Sequence, residues 1–356
     1  MLNWENCKNN YYNDFISNAR INNVIIFGAS SAGINALHHL KSIGIEVIFF
    51  CDNDNKKWGN KLFEVEIISP KELLNRKGDS IILIASDYHR EIRKQLIELK
   101  VKDIYYFSKF GLFDNILYDS QYIWNNTERI GELFTILADE KSKKAVENIL
   151  KYRLNCKVNY LDEIYYNEPI FKKEFINLNN FETFVDAGAY DGDTILEIIK
   201  DTNGMFDKIY AFEPDERNYE KLVKVVDICG YKNQIEVLKL GLYDSNKVVN
   251  FNSNLTNSSI DKDGTQQIEV ARCDEVLKDK KVTYIKMDIE GAEFKALKGS
   301  ENIILKQKPK LAICIYHTPT DLWELPLYIK KLLPDYKIYI RQNTNEIVDT
   351  VCYAII

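Results

Sequence analysis

Twice along this chain a short apolar run meets a glycine turn, gives way to a helical pattern, and is followed by a second apolar run closing on an acid. The first copy is "NVIIFGASSAGINALHHLKSIGIEVIFFCDND"; the second starts at "FVDAGAYDGDTILEIIK" and closes on "KIYAFEPD". Buried strands that alternate with amphipathic helices require a mostly parallel sheet covered on both faces. The expected fold is therefore α/β in two domains. In the first series "ISPKELLNRK" reads as a short helix, "SIILIAS" as a buried strand, "DYHREIRKQLIELK" as an amphipathic helix and "DIYYF" as a strand, which places a small domain over residues 1–111. Residues 112–180 show no strand run, and "NNTERIGELFTILADEKSKKAVENILKYRL" has apolar residues at helical spacing, so they read as a helical connector or cap. The second domain, 181–356, offers the strands "TFVDAG", "KIYAFE", "IEVLKLGL", "VTYIKMD" and "KLAICIYH" with helices between them. It ends in "YKIYIRQ" and "TVCYAII", joined by the polar turn "NTNE" and so expected to pair antiparallel.

The 356 residues suffice for two domains of ordinary size, and 46% hydrophobic with 28% charged residues describes a soluble globular protein. A formal net charge of −6 argues against a nucleic-acid surface as the main partner. No apolar run is long enough to span a bilayer, and "MLNWENCKNN" lacks a signal-peptide pattern. The seven cysteines are scattered without a CxxC pair, and Cys51 and Cys314 lie in strand-like runs. That suggests reduced thiols and a cytoplasmic location, not a disulfide framework or a zinc site. The composition leaves a homo-oligomer open.

A glycine turn between strand and helix usually suits a phosphate. Here it carries Asp186, Asp191 and Asp193, which would repel one. Gly188 and Gly192 permit close approach of a ligand, and Glu213, ending the next strand, is placed to accept from both hydroxyls of a ribose. The ligand these residues describe is a nucleoside carrying positive charge, such as S-adenosylmethionine, and not a dinucleotide.

Three segments in order, "FVDAGAYDGDT", "YAFEPDERNYEKL" and "YIKMDIEGAEFKALKGS", together with the smaller "NSSI" at Asn257–Ile260, resemble the FkbM-type methyltransferases. The resemblance covers about residues 181–356. It implies a class I methyltransferase-type doubly wound sheet with a terminal antiparallel hairpin, S-adenosylmethionine as cofactor, and methyl transfer to a hydroxyl of a sugar, glycan precursor or related metabolite. The candidate cofactor-binding residues are Asp186, Gly188, Ala189, Asp191, Glu213, Pro214 and Asp244. Asp288, Glu290 and His317 are the candidate catalytic residues.

An alcohol must lose its proton to attack a methyl group, so a general base is needed within hydrogen-bond reach. His317, the only histidine of the second domain, has a suitable ordinary pKa. Asp288 is suited to orient it or to act as the base itself. A divalent cation held by Asp288 and Glu290 is a third route. Glu293 reads equally well as a helix-start acid complementing the helix dipole. Lys286 is read either as a contact for the ligand's carboxylate or as a solvated strand residue.

In the first domain "FGASSAG" has Gly28 and Gly33, but Ser30 stands where GxGxxG has its middle glycine. Asp52 is its ribose-acid candidate. The stretch through "FCDNDNKKWG" and "ISPKELL" resembles the Rossmann-like front domains of bacterial sugar-modifying transferases, some of which bind nucleotide-sugars; packing or assembly is the plainer role. Rival readings are an NAD(P)-dependent oxidoreductase or epimerase centred here, and a non-catalytic nucleotide-binding protein. Against the first stand the missing glycine and the lack of a Tyr-x-x-x-Lys pair.

Overall fold

A computed structural model describes residues 11–86, 88–106, 120–155, 158–166, 168–252, 259–260, 264, 266–346 and 348–356. The described residues divide into two compact units: one up to residue 120 with 151–155, the other 121–150 with 158–356.

In the first unit α1 (Tyr11–Ala19) precedes β1 (Val24–Phe27), whose four residues are all buried. Helix α2 (Ser31–Ser42) leads to β2 (Val47–Cys51), β3 (Lys61–Leu62) and β4 (Val65–Ile68). Helix α3 (Pro70–Arg76) follows with a reciprocal cap: the Ser69 hydroxyl accepts from Glu72 N, and the Glu72 carboxylate accepts from Ser69 N. Strand β5 (Ile81–Ile84), α4 (His89–Glu98) and β6 (Ile104–Tyr106) complete the unit. The sheet order is β3-β4-β2-β1-β5-β6, parallel except for β3 on β4. The expected small parallel sheet is thus present.

Helices α5 (Ser120–Asn125), α6 (Thr127–Ile136), α7 (Glu140–Asn155) and α8 (Asn159–Asp162) occupy the middle of the chain. Strands β7 (Thr183–Ala187) and β8 (Lys208–Phe212), with α9 (Asp193–Asp201) between them, open the second sheet. Helix α10 (Glu216–Ile228) then leads to β9 (Ile235–Leu238). Beyond it lie β10 (Gly241–Leu242), β11 (Lys247–Asn252), β12 (Ser259–Ile260), β13 (Gln266–Ala271) and α11 (Cys273–Val276). Strand β14 (Tyr284–Met287), α12 (Glu293–Lys298), α13 (Glu301–Gln307) and β15 (Lys310–Cys314) precede α14 (Asp321–Leu332), β16 (Lys337–Gln342) and β17 (Thr350–Ile355). The seven-stranded order is β16-β17-β15-β14-β7-β8-β9. Its first five strands in chain order are parallel, and β17 runs antiparallel between β15 and β16.

Two sequence expectations need correction. Ile235–Leu242 is not one strand. Leu240 N donates to Leu238 O at 2.9 Å, a tight turn that sends β10 into a different sheet. Helices also do not fill every gap between the five parallel strands. Between β9 and β14 lies a four-stranded sheet, order β10-β13-β11-β12, with only the short α11 beside it. Of "NSSI", Ser259 and Ile260 form β12, and the first two residues lie outside the described residues.

Most of the helical middle belongs to the second unit. Helix α6 packs on α14. Buried Arg341 of β16 donates to Asp139 Oδ2 at 2.6 Å, Ser142 Oγ at 3.0 Å and Glu174 Oε1 at 2.9 Å, so its charge is paired with two carboxylates inside the protein.

Candidate active site

The carboxyl ends of β7, β8, β14 and β15 open into one cavity of about 890 Å³, of the size that takes a small-molecule ligand. Asp186 lies beneath it, fully buried, with neither carboxylate oxygen hydrogen-bonded. Burial above all pushes its pKa up to about 6, against the pull of Lys286. Lys286 is buried, which rules out a solvated strand residue. Its Nζ lies 3.4 Å from Asp186 Oδ1 and donates to Thr194 Oγ1 at 3.2 Å and Gly188 O at 3.4 Å. Burial works against its charge, but Asp186 and Asp288 hold it protonated.

Gly188 has φ 80°, and a Cβ there would stand 1.9 Å from the Asp288 carbonyl oxygen. Only glycine lets β7 and β14 end so close together. The turn beyond returns to Glu213, the buried last acid of β8: Tyr190 N donates to Oε2 and Asp215 N to Oε1, both at 2.9 Å. Among the described residues no cation pairs with Glu213, and burial pushes its pKa up to about 7 despite those two donors.

Strand β14 runs into Asp288, Ile289 and Glu290, which line the cavity. Glu290 takes a left-handed φ of 54°. Glu293 holds this turn from below, accepting from Ile289 N at 2.8 Å and Gly291 N at 3.0 Å. It also stands 2.9 Å from His317 Nδ1, while His317 Nε2 faces Asp288 Oδ1 at 3.3 Å and Glu290 Oε2 at 3.7 Å. Burial opposes a charge on this imidazole, but Glu293 and Asp288 push its pKa well up. Asp288 also accepts from Tyr316 Oη at 3.2 Å; burial raises its pKa, yet His317 and Lys286 together hold it far below the usual carboxylate range. Burial pushes Glu290 up to about 7, with His317 pulling it down.

The structure therefore gathers Gly188, Glu213, Pro214, Asp288 and Glu290 on the cavity wall, with Asp186 under it and His317 behind Asp288. Ala189 is buried behind the turn, where its N–H, like that of Gly188, donates to Phe212 O at 3.0 Å. Asp191 and Asp244 are half-buried and outside the cavity lining; Asp244 accepts from Ser245 Oγ. Sequence reasoning missed Phe251, Ile268 and Val270, which the small sheet contributes, and Asn343 and Asp349 from the β16–β17 turn. Alternating apolar residues in "QQIEVA" were the available signal for that sheet.

Asp288, Glu293 and His317 can offer three ligand atoms within 4.8 Å of one another, a grouping compatible with a metal ion. The two carboxylates face opposite ring nitrogens, however, so a protonated His317 would stand between them as their shared counter-ion.

In the first unit Asp52 Oδ2 accepts from Ala29 N at 2.7 Å and from Lys57 Nζ at 2.9 Å, and Oδ1 from Asp54 N at 2.8 Å. Burial raises its pKa, but the Asp54 N–H, Lys57 and the Ala29 N–H bring it below the ordinary value.

The doubly wound sheet, with its terminal antiparallel hairpin and a carboxylate-lined cavity at its carboxyl edge, has the methyltransferase-type plan expected from the sequence. Residues 186–340 match the methyltransferase FkbM domain, and the second unit carries a domain of that family. Residues 20–104 match the C2185-like N-terminal family. The structure of methyltransferase FkbM from Methylobacillus flagellatus KT superposes with TM-score 0.76 at 26% identity, covering 97% of this chain and 99% of that one. Slighter likenesses are to UDP-D-quinovosamine 4-dehydrogenase from Vibrio fischeri (28% identity, 26% of this chain and 81% of that one, TM-score 0.21) and to M. capricolum TrmK bound to S-adenosylhomocysteine (14%, 56% and 65%, 0.31). No curated protein matches the chain. Among the described residues no helix is long and apolar enough to cross a membrane.

Proposed function

We propose that the second unit is an S-adenosylmethionine-dependent O-methyltransferase acting on a hydroxyl of a sugar, glycan precursor or related metabolite. One observation carries the reading: Glu213, clamped by two backbone N–H groups and without a paired cation among the described residues, shares a cavity with Asp288 and Glu290. The residues suit the cofactor. Asp186 has two buried oxygens without hydrogen-bond partners, and Gly188 leaves a cradle that a Cβ would fill. Glu213 would take the ribose hydroxyls, and Asp186 with the turn around Gly188 would face the cationic end. When bound, the cofactor supplies an electrophilic methyl group on a sulfonium.

The chain's own residues then align the acceptor, exclude water and receive its proton. Glu290 suits the base: it lines the cavity and its carboxyl lies near neutrality. His317, held by Glu293 and Asp288 behind the cavity wall, helps keep Asp288 ionised. Ionised Asp288 keeps the imidazole in place.

Glu290→Gln, Asp288→Asn and His317→Ala are expected to lower turnover roughly a hundredfold or more while leaving the affinity for S-adenosylhomocysteine nearly intact. The test is radiolabelled methyl transfer beside calorimetry. In the wild type the rate should rise as pH passes through about 7, where Glu290 ionises. Loss of activity on chelation, restored by a divalent ion, would instead favour a cation held by Asp288 and Glu290 that lowers the pKa of the acceptor hydroxyl.

A further inference from the structure

The turn from β16 to β17 brings polar groups to the cavity that the mechanism above does not use. Asn343, Thr344 and Asp349 all line it. Asn343 N donates to Asp349 O at 3.0 Å, which sets the two residues face to face across the turn. The Asn343 amide nitrogen donates to Tyr353 Oη at 3.3 Å, while its amide oxygen is buried and has no partner. The Thr344 hydroxyl is spent on Val348 O at 2.8 Å. Asp349 adopts φ 63° in the left-handed region, where a side chain is strained even though aspartate tolerates it better than most. Among the described residues its carboxylate has no hydrogen bond or ion pair, and burial pushes it up to about 6.

A buried acceptor without a donor is costly, and a strained residue persists only where its surroundings or its task hold it there. The Asn343 amide oxygen is buried without a donor, and the half-buried Asp349 carboxylate has none among the described residues; a ligand in the cavity can supply both. Amines compete for the same acceptors, because carboxylates outnumber Lys200 and Lys286 on the cavity wall, and the test below separates them from neutral diols. Two acceptors facing each other across a turn match adjacent hydroxyls. Resting on the methyltransferase reading, we propose that Asn343 and Asp349 form an acceptor subsite for a neutral vicinal diol, gripping the hydroxyl beside the one to be methylated. The substrate class is thus narrowed to a sugar-like polyol with at least two adjacent free hydroxyls.

The test uses the full chain saturated with S-adenosylhomocysteine, titrated with methyl pyranosides that carry a vicinal diol, their deoxy counterparts and matched amino sugars. Neutral diols should bind, and deoxy sugars about tenfold more weakly. Asp349→Ala and Asn343→Ala should each weaken diol binding about tenfold or more while leaving S-adenosylhomocysteine affinity within about twofold. Asp349→Gly, which fits the left-handed backbone, should melt no lower than the wild type yet lose diol binding. The subsite is overturned if the alanine variants bind diols like the wild type, if amino sugars are preferred, or if Asp349→Gly melts lower. Binding of S-adenosylhomocysteine with no polyol bound would overturn it too. Failure of S-adenosylhomocysteine itself to bind would bring down the reading on which the subsite rests.

Discussion

The two glycine turns use one backbone device to different ends. Asp52 at the end of β2 and Glu213 at the end of β8 each accept one N–H from the preceding glycine turn and one from the residue two places on, through different oxygens. What differs is the cation. Lys57 closes on Asp52 and holds its charge, whereas nothing among the described residues pairs with Glu213, and burial pushes it toward neutrality. The glycines differ as well. A Cβ on Gly33 would meet the Gly28 carbonyl oxygen at 1.9 Å, so the first turn folds onto itself, whereas Gly188 borders the large cavity. An acid ending a strand after a glycine turn therefore marks a ligand site only where the fold leaves that acid unsatisfied.

Exchanging the acids should give the largest effect. Glu213→Ala is expected to weaken S-adenosylhomocysteine binding by roughly 2–4 kcal/mol, the worth of two charge-assisted hydrogen bonds. Asp52→Ala should leave it unchanged. Calorimetry on the two variants decides, and equal losses would erase the distinction between the turns.

A smaller effect should appear in the dependence of stability on pH. Glu213 has its pKa raised in the folded state, so the folded chain binds the proton more tightly than the unfolded one, and stability falls as pH rises from about 4.5 to about 7. Other buried carboxyls add to that slope, so the contrast with Glu213→Gln isolates this one. The variant should lose ~1–3 kcal/mol less across the window in urea melts. Parallel curves would mean that Glu213 behaves as a solvated acid.

Lys57→Met should have the smallest effect, about 1 kcal/mol of stability at neutral pH, because Asp52 keeps its two backbone donors. The sign for Asp52 is opposite to that for Glu213. Its depressed pKa stabilises the fold above the unfolded value, and that gain is lost as pH falls through the folded value. Removing Lys57 should move this acid limb to higher pH; an unmoved limb would show that the N–H donors alone set the Asp52 pKa.

Much of this was legible in the sequence. Apolar runs ending in Asp186, Glu213 and Asp288 fixed three strand ends along one sheet edge, and the polar turn "NTNE" joined an antiparallel pair as expected. The state of the charges was not legible. "FCDNDNKK" and "AFEPDER" both place a cation four or five residues after the acid, yet only Lys57 reaches its partner, while Arg217 forms no ion pair among the described residues. Lys286 looked equally suited to solvent until β14 buried it over Asp186. Asn343 and Asp349 read as loop composition, because whether an acceptor finds a donor depends on tertiary neighbours that no local pattern reports. The small sheet escaped notice because its two six-residue strands, β11 and β13, are half polar, and β10 follows β9 after only a two-residue turn.

The placement of β17 also gives the cavity a history. Strand β16 reaches the sheet only through β17, which pairs with β15 on its other side. The Gly188 turn and Glu213 are joined by β7 and β8, neighbours in sequence, whereas β17 must find β15 across the whole of α14 and β16. Contacts of long sequence separation bear the greater loop-closure cost. Asn343 directly follows β16 and Asp349 directly precedes β17, so the wall they form takes shape in the step that inserts this strand. The wall at β7 and β8 thus rests on contacts closer in sequence than the wall at β16 and β17, which closes only when β17 inserts.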